Sequence, residues 1–305
     1  MIAVGIDLGG TKIEAQVFGS DWTPVDRRRV RTPQTYDALV KQIADLVTWA
    51  NDLGDQPMPI GLGTAGLINP KTGIATAANL PIHGHPFARD LSATLGRHIA
   101  ILNDSQAIAL SEAVFGAGRE YSSILSLSLG TGVSGAFVRQ GQLYSGFSHT
   151  SGEFGHIAAP AHLVQKYALP VVACGCGQIG CIETLISGAG LSRIAKQIMA
   201  VDVSPEQVIA SRADDPAAQQ VWEVWCALTA DLLRTLMRTF DPDCFVLGGG
   251  LSAIPDIVAD LTTAADAVQF TGFEVAPIRL AKGGENSGAR GAAYAAWQAG
   301  MDHDG

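Results

Sequence analysis

Two short apolar strands joined by a glycine turn occur twice in this chain, and no other feature restricts its fold as much. Residues 2–18, IAVGIDLGGTKIEAQVF, read as a strand, a tight Gly9-Gly10 turn and a returning strand, because glycine tolerates backbone angles that other residues avoid. Residues 124–138, ILSLSLGTGVSGAFV, repeat the design: Leu125, Leu127 and Leu129 alternate with Ser126 and Ser128 before a second glycine turn and another apolar strand. An offset of 121 residues aligns Leu8 with Leu129, Gly9 with Gly130, Ala15 with Ala136 and Val17 with Val138, which suggests a duplicated α/β domain. A chain of 305 residues has room for about two domains, and 47% apolar against 16% charged residues can fill a sizeable core.

Helices separate these strands. Leu39, Val40, Ile43, Leu46, Val47 and Ala50 fall on one helical stripe over 37–50, and 105–115 reads as a second helix. A longer one covers 217–240, with Val221, Val224, Trp225, Leu228, Leu232, Leu236 and Phe240 on its stripe and Asp241-Pro242 ending it. FVLGGGLS (245–252) then reads as a buried strand entering a glycine turn, and SGARGAAYAAWQAG (287–300) as a small-residue helix. Strands alternating with helices imply α/β layers.

Charge narrows the partners. With 20 Lys+Arg against 29 Asp+Glu the formal net charge is −9, still negative with all seven histidines protonated. Phosphate backbones and anionic membranes are recognised by clustered Lys and Arg, so neither nucleic acid nor a membrane surface is expected, and a small molecule or another protein is. No apolar run reaches the 18 or so residues of a membrane span, and MIAVGIDLGG has no basic segment ahead of its apolar residues, so a cytoplasmic protein is expected.

The pattern G-x-G-x-x-G occurs three times, at Gly61/Gly63/Gly66, Gly130/Gly132/Gly135 and Gly175/Gly177/Gly180. A dinucleotide site needs a helix after the turn, whereas the first hit leads into LINPKTG, the second into a strand and the third lies among cysteines. The hairpins have two readings. Their backbone N–H groups could face phosphate oxygens, glycine being needed because a Cβ would block the approach, or both could be plain tight turns. Polar residues at the tips favour phosphate: Asp7, Thr11 and Lys12 on one, Thr131 and Ser134 on the other.

Two further clusters carry chemistry. In ILNDSQAIALSEA (101–113) a strand ends at Asn103-Asp104 and a helix begins, so Asp104 sits where helix amides favour an ionised carboxylate able to accept a proton. An ordinary N-cap is the competing reading. Cys174, Cys176 and Cys181 lie within eight residues, and with His156 they make a Cys₃His set that fills a tetrahedral structural zinc site and leaves no position for water. Buried free thiols are the alternative. The other histidines, His83, His85, His98, His149, His162 and His303, lack comparable spacing and read as surface or packing residues.

Together these pieces resemble the ROK family of sugar kinases: DLGGTKI, the NP-to-NLP segment, Asn103-Asp104, LGTG, GEFGH, CGCGxxGCIE and LGGGLS appear in the family's order over most of the chain. NLP, ALSEA, CGCGQxGCIE, DPD and GGGLS are most similar to the bacterial N-acetyl-D-glucosamine kinases within it. The resemblance implies an α/β, actin-like ATPase (hexokinase-type) fold of two related lobes around a cleft. One lobe would be 1–118 plus 288–305 and the other 119–287. It implies transfer of the γ-phosphoryl group of ATP, with Mg²⁺, to the sugar 6-hydroxyl, and a structural Zn²⁺ on His156, Cys174, Cys176 and Cys181. Asp104 would be the base, and Gly66, Asn79, Asn103, Asp104, Glu153, His156 and Glu183 would hold the sugar. His156 would place one ring nitrogen on zinc and turn the other to the sugar.

The nucleotide would lie along Gly5, Ile6, Asp7, Leu8, Gly9, Gly10, Thr11 and Lys12, with Asp7 steering Mg²⁺ through water. It would also meet Gly130, Thr131, Gly132, Val133, Ser134, Gly135, Ala136 and Phe137, then Gly249 and Gly250. Ser134 and Ala136 stand where the family's second turn often has glycine. A homodimer is expected. The alternatives are a kinase for glucose, fructose or N-acetylmannosamine, or a sugar-sensing repressor body. Repressors of the family carry a helix-turn-helix before the first hairpin, which here starts at Ile2.

Overall fold

The structure is a computed structural model that describes residues 1–54 and 56–301, so His303 lies outside the described residues. The chain forms two compact units: Met1–Glu120, Val138–Ser151 and Lys282–Gly305 make the first, Tyr121–Phe137 and Gly152–Ala281 the second.

The first unit begins with β1 (Ala3–Leu8), β2 (Lys12–Phe18), β3 (Pro24–Arg31) and α1 (Tyr36–Asn51). It continues through β4 (Ile60–Thr64), the small hairpin β5 (Leu67–Ile68) and β6 (Ala75–Thr76), α2 (Phe87–Leu95), β7 (Ala100–Asn103) and α3 (Asp104–Phe115). Its main sheet runs β3-β2-β1-β4-β7, with β1, β2 and β3 antiparallel and β1, β4 and β7 parallel.

In the second unit come β8 (Ser123–Leu129) and β9 (Val133–Arg139), the latter passing back into the first unit, where β10 (Gln142–Leu143) pairs with Val138 and Arg139. The helices α4 (Ala161–Lys166), α5 (Glu183–Ile186), α6 (Gly188–Met199), α7 (Pro205–Ser211) and α8 (Pro216–Phe240) follow, then β11 (Cys244–Gly248), α9 (Ile257–Asp266) and β12 (Ile278–Leu280). The last helix, α10 (Ser287–Met301), belongs to the first unit. The second sheet order, β10-β9-β8-β11-β12, repeats the first, with β8, β11 and β12 parallel. Both units are therefore α/β, and the two hairpins read from the sequence occupy matching places in them.

Alternation along β1 decides what each face meets. Val4, Ile6 and Leu8 join the core built on α1, while Ala3 and Gly5 face α10, and Asp7 is next on that face. The α10 face is made of small residues so that backbones touch: a Cβ on Gly5 would lie 1.9 Å from the Ala289 carbonyl oxygen, and one on Gly61 1.8 Å from that of Ala292. α3 meets α10 the same way, since a Cβ on Gly291 would lie 1.7 Å from the Ala107 oxygen. In the second unit α8 supplies the spine of the core. Asp215 caps it through the Ala217 N–H, Pro216 opens it, and Asp241 in the left-handed region (φ 46°) closes it before Pro242. Trp222 and Trp225 stack within it, and the Trp225 indole N–H donates to the Ile186 carbonyl.

Two boundaries differ from the sequence expectation. Residues 138–151 group with the first unit, because Leu143 packs with Leu102, Ala107 and Ala292, and Gln298 donates to the Gly141 carbonyl. The final return comes at Lys282 rather than 288, because Glu112 of α3 accepts the N–H groups of Lys282 and Gly283. Strand β3, PVDRRRVR, has no apolar alternation to reveal it; it exists because β2 lends it hydrogen bonds, and its charged residues suit an edge. Among the described residues, no helix is long and apolar enough to cross a membrane.

The backbone contact at Gly61 yields a test. Gly61→Ala should lower the unfolding free energy by about 1–3 kcal/mol, the usual cost of overpacking, measured by urea unfolding. An unchanged midpoint and slope would contradict this packing.

Candidate functional site

The first hairpin divides into a packed part and an exposed tip. Gly5 lies against α10, and Ile6 and Leu8 are buried in the core, so the side chains of this part serve packing. Gly10, Thr11 and Lys12 are exposed at the tip, which is shaped by the Gly9 N–H donating to the Lys12 carbonyl and by Thr32, whose hydroxyl donates to the Gly9 carbonyl. Gly10 runs close to Asn79: a Cβ there would lie 3.2 Å from the Asn79 oxygen.

Asp7 sits below the tip with its carboxylate against Gly288, the second residue of α10. Burial pushes its pKa from 3.8 up to about 6; Asp104 and Glu14 add to the rise and Lys12 opposes it. A folded-state pKa above the unfolded value means that stability falls as pH rises between those two values. The ionised carboxylate is thus maintained at the fold's expense, as expected of a group kept for function.

Asn103, not Asp104, caps α3. The Asn103 side chain accepts the Ser105 N–H while Gln106 accepts the Asn103 N–H, a reciprocal capping box, and the Asn103 amide donates to the Gly66 carbonyl. Asn103 holds the N-cap position, but Asp104 accepts the same Ser105 N–H, so the capping and the proton-accepting readings of Asp104 both stand. Its Oδ1 accepts the Ser105 N–H at 2.7 Å, which favours the charged form, but burial outweighs this and raises the pKa. The first unit therefore brings Gly66, Asn103 and Asp104 together, with Asn79 beside the hairpin tip.

The second hairpin has the same division. Val133, Gly135 and Ala136 are buried and Phe137 packs on the core; a Cβ on Gly135 would lie 2.0 Å from the Ser126 oxygen. Ala136 therefore stands in the core rather than at the tip, and Ser134 is half-buried in the strand. Thr131 and Gly132 are exposed, and the Gly130 carbonyl accepts the Gly188 N–H at the start of α6.

Gly130 and Thr131 form one wall of a cavity of about 680 Å³ in this unit, which Gly250 also lines. Gly249 makes that wall feasible: its φ is +83°, and a Cβ would lie 2.4 Å from the Leu129 oxygen. Further lining residues that the sequence does not single out include Gly188, Ala189, Glu206, Ile209, Ile254 and Pro255. Their only sequence signal is the Ser204-to-Gln207 capping box that starts α7; nothing in it says that α7 faces a glycine turn. The cavity offers mostly apolar side chains, backbone groups, one hydroxyl and one carboxylate, which suits a flat heterocycle bearing a few polar groups.

The zinc segment folds as a knot of its own. The ligand atoms of His156, Cys174, Cys176 and Cys181 all lie within 4.8 Å of one another, with Cys176 and Cys181 Sγ 3.6 Å apart. Burial pushes the Cys174 thiol up to about 12 and raises Cys181, while the Gln178 N–H lowers exposed Cys176. Buried thiolates need a cation, and three thiolates with an imidazole match the soft donor set of Zn²⁺. His156 Nδ1 is 3.5 Å from Cys174 Sγ, and Nε2 is 3.5 Å from a Glu153 oxygen, so the ring's two nitrogens are divided between the cysteines and a carboxylate.

Glu183 joins this knot to the second hairpin. Its Oε2 accepts the Val133 N–H at 2.8 Å and its Oε1 lies 3.4 Å from Cys174 Sγ; Gly132 is needed because a Cβ there would sit 2.7 Å from that carboxylate. Glu153, His156 and Glu183 are thus gathered in the second unit. His83 and His85 serve packing, the one accepting the Ala77 N–H and the other stacked on Tyr36.

The ROK family model matches residues 3–299 of the chain. An N-acetylgalactosamine kinase, AgaK, of Shewanella sp. (strain ANA-3) is 37% identical over 95% of this chain and 94% of its own length. An N-acetyl-D-glucosamine kinase of Haemophilus influenzae is 34% identical over 95% and 97%. The structure of a ROK hexokinase from Thermus thermophilus superposes with a TM-score of 0.87 at 31% identity, covering 99% of this chain and all of that one. A ROK family glucokinase from Streptomyces griseus, solved with glucose and AMPPNP, gives 0.75 at 27% identity over 98% and 100%. The expected hexokinase-type α/β fold is therefore the fold of this chain.

The metal assignment has its own readout. Cys176→Ser should reduce zinc per chain below half and lower the melting temperature, since a structural zinc site contributes to folding. Stoichiometric zinc by elemental analysis of the variant would remove Cys176 from the ligand set.

Proposed function

Because the chain belongs to the ROK family, we propose that it is an ATP-dependent sugar kinase that phosphorylates N-acetyl-D-glucosamine at the 6-hydroxyl. The observation that carries the chemistry is Asp104: half-buried in the first turn of α3, next to Asn103 at the N-cap position, and raised in pKa by desolvation. A base works best when its pKa approaches the operating pH. Oδ1 is engaged by Ser105, and Oδ2 is the oxygen we assign to the hydroxyl proton. The sugar oxygen then attacks the γ-phosphorus, and ADP leaves with the bridging oxygen.

Each unit contributes separate parts. In the first, the exposed tip Gly10–Lys12 offers backbone and one ammonium to phosphate oxygens, and Asp7 would hold, through water, a Mg²⁺ that would supply charge neutralisation. In the second, the 680 Å³ cavity takes the nucleoside, with Gly130, Thr131 and Gly250 at its wall. Glu153, His156 and Glu183 hold sugar hydroxyls, and the His156 ring, shared between the cysteines and Glu153, would be kept in one tautomer and orientation by a bound zinc.

The acceptor rests on the curated relatives. Several named N-acetyl-D-glucosamine kinase are 34–36% identical to it. N-acetylgalactosamine is a second reading, favoured by the Shewanella relative at 37%. We also place the protein in the cytoplasm as a homodimer, the latter checked by light scattering.

Coupled assays across N-acetylglucosamine, N-acetylgalactosamine, N-acetylmannosamine and glucose decide the acceptor; higher kcat/KM on glucose would overturn it. Asp104→Asn should keep sugar affinity while kcat falls roughly 10²-fold or more, and near-normal turnover would remove Asp104 as base. Wild-type kcat should decline as pH falls through about 6, because Asp7, raised to that value, loses its charge there. A profile flat to pH 5 would show that Asp7 is not raised to that value in the working enzyme.

A further inference from the structure

Glu112 is fully buried, lies two turns beyond Asp104 in α3, and is used by nothing in the mechanism above. Its Oε2 accepts the N–H groups of Ala117 at 2.9 Å and Lys282 at 3.0 Å; its Oε1 accepts the Gly283 N–H at 2.5 Å and faces the Ser287 hydroxyl at 3.5 Å. A buried carboxylate held by amides is stable where it lies and costly to disturb. The backbone on both sides is built around it. A Cβ on Gly116 would lie 2.1 Å from Oε2, and one on Gly283 2.6 Å from Oε1.

The four donors come from two separate stretches. Ala117 follows the end of α3, just before the chain leaves the first unit, while Lys282, Gly283 and Ser287 lead into α10 where it finally returns. One side chain therefore fixes the N-terminal end of α10 against the C-terminal end of α3. Sideways, α10 is already wedged by backbone contacts at Gly5, Gly61 and Gly291. What Glu112 adds is hold along the axis. That register matters, because Gly288 in the first turn of α10 abuts the Asp7 carboxylate, and Asp104 stands in the first turn of α3.

We propose that Glu112 is a positioning residue for phosphoryl transfer: by binding the amides of Ala117, Lys282 and Gly283 it sets α10 against α3, and so sets Asp7 against Asp104. This rests on the kinase reading above. Glu112 touches neither substrate nor reacting atoms. The groups that face Asp7 are Lys12 and Glu14 from β2, Asp104 from α3 and the Gly288 backbone from α10. Of these, Asp104 and Gly288 belong to the two helices that Glu112 joins.

The test uses Glu112→Gln, which keeps the shape and one acceptor oxygen, and Gly283→Ala, which keeps the charge but crowds the carboxylate. Both are measured on the full-length, zinc-loaded protein against wild type. Circular dichroism and zinc content report the fold, calorimetric titration reports sugar affinity, and steady-state assays from pH 5 to 9 report kcat and KM. The expected result for each folded variant is sugar affinity within roughly threefold of wild type and kcat at least roughly tenfold lower. The acid limb should move to lower pH, because separating Asp7 from Asp104 relieves their repulsion. A folded Glu112→Gln protein with wild-type kcat and an unmoved acid limb would overturn the proposal. So would a loss of kcat matched by the loss of folded protein. If Glu112→Gln does not fold, the same criteria applied to Gly283→Ala decide. If wild type itself transfers no phosphoryl group from ATP to any of the sugars, the kinase reading fails, which is a separate outcome.

Discussion

The first unit depends on backbone approaching backbone. Gly5, Gly61 and Gly291 remove side chains where α10 meets β1, β4 and α3, leaving contacts into which even a methyl group would not fit. Such contacts do not slide cheaply, because close-packed interiors have no spare volume. They hold α10 sideways against the sheet, and strand alternation then carries β1 from Ala3 and Gly5 on the small-residue face to Asp7 near its end. The acidic group meets the helix start as a consequence of packing several residues away. Glu112 completes the arrangement by binding both the exit from α3 and the approach to α10.

In the second unit the comparable device is chemical. Few large apolar residues lie in the segment 174–181, and the cluster of three thiols and one imidazole supplies what an apolar core does not. Glu183 extends that order to the hairpin, because its carboxylate takes the Val133 N–H while lying beside Cys174. A change in the cysteine knot would therefore reach the second glycine turn through Glu183 and through the 152–156 segment, which packs on Val133 and Gly135. Asp7 and Asp104 of the first unit work in the opposite sense. Desolvation raises both, and for Asp7 the neighbouring Asp104 and Glu14 add to the rise, a cost the fold carries.

Much of this was legible in the sequence. Both hairpins, the helices over 37–50, 105–115 and 217–240, the closing helix and the Cys₃His cluster are local patterns, written in alternation, helical stripes and close spacing. Asp104 was legible as a carboxylate at a helix start, but which of Asn103 and Asp104 takes the N-cap position was not, since the two are equally good caps by residue type. That Gly5, Ile6, Leu8, Gly135 and Ala136 pack against Ala289, Ser126 and the cores is not legible in the glycine-rich motifs that contain them, because the partners are distant in sequence. Strand β3 escaped notice because an exposed edge strand needs only a neighbour's hydrogen bonds and no apolar pattern.

By itself the sequence determined the chemistry available: which carboxylates, thiols and glycines exist, and which local turns and helices carry them. The tertiary structure alone decided which of those groups keep water and which lose it. It placed α7 and the Ile254-Pro255 turn around the second glycine hairpin as a cavity, and it brought Glu112 to amides 170 residues away. The reason is physical. Local patterns report on neighbours within a few residues, whereas burial, and with it a pKa or a cavity wall, depends on segments joined only when the chain folds.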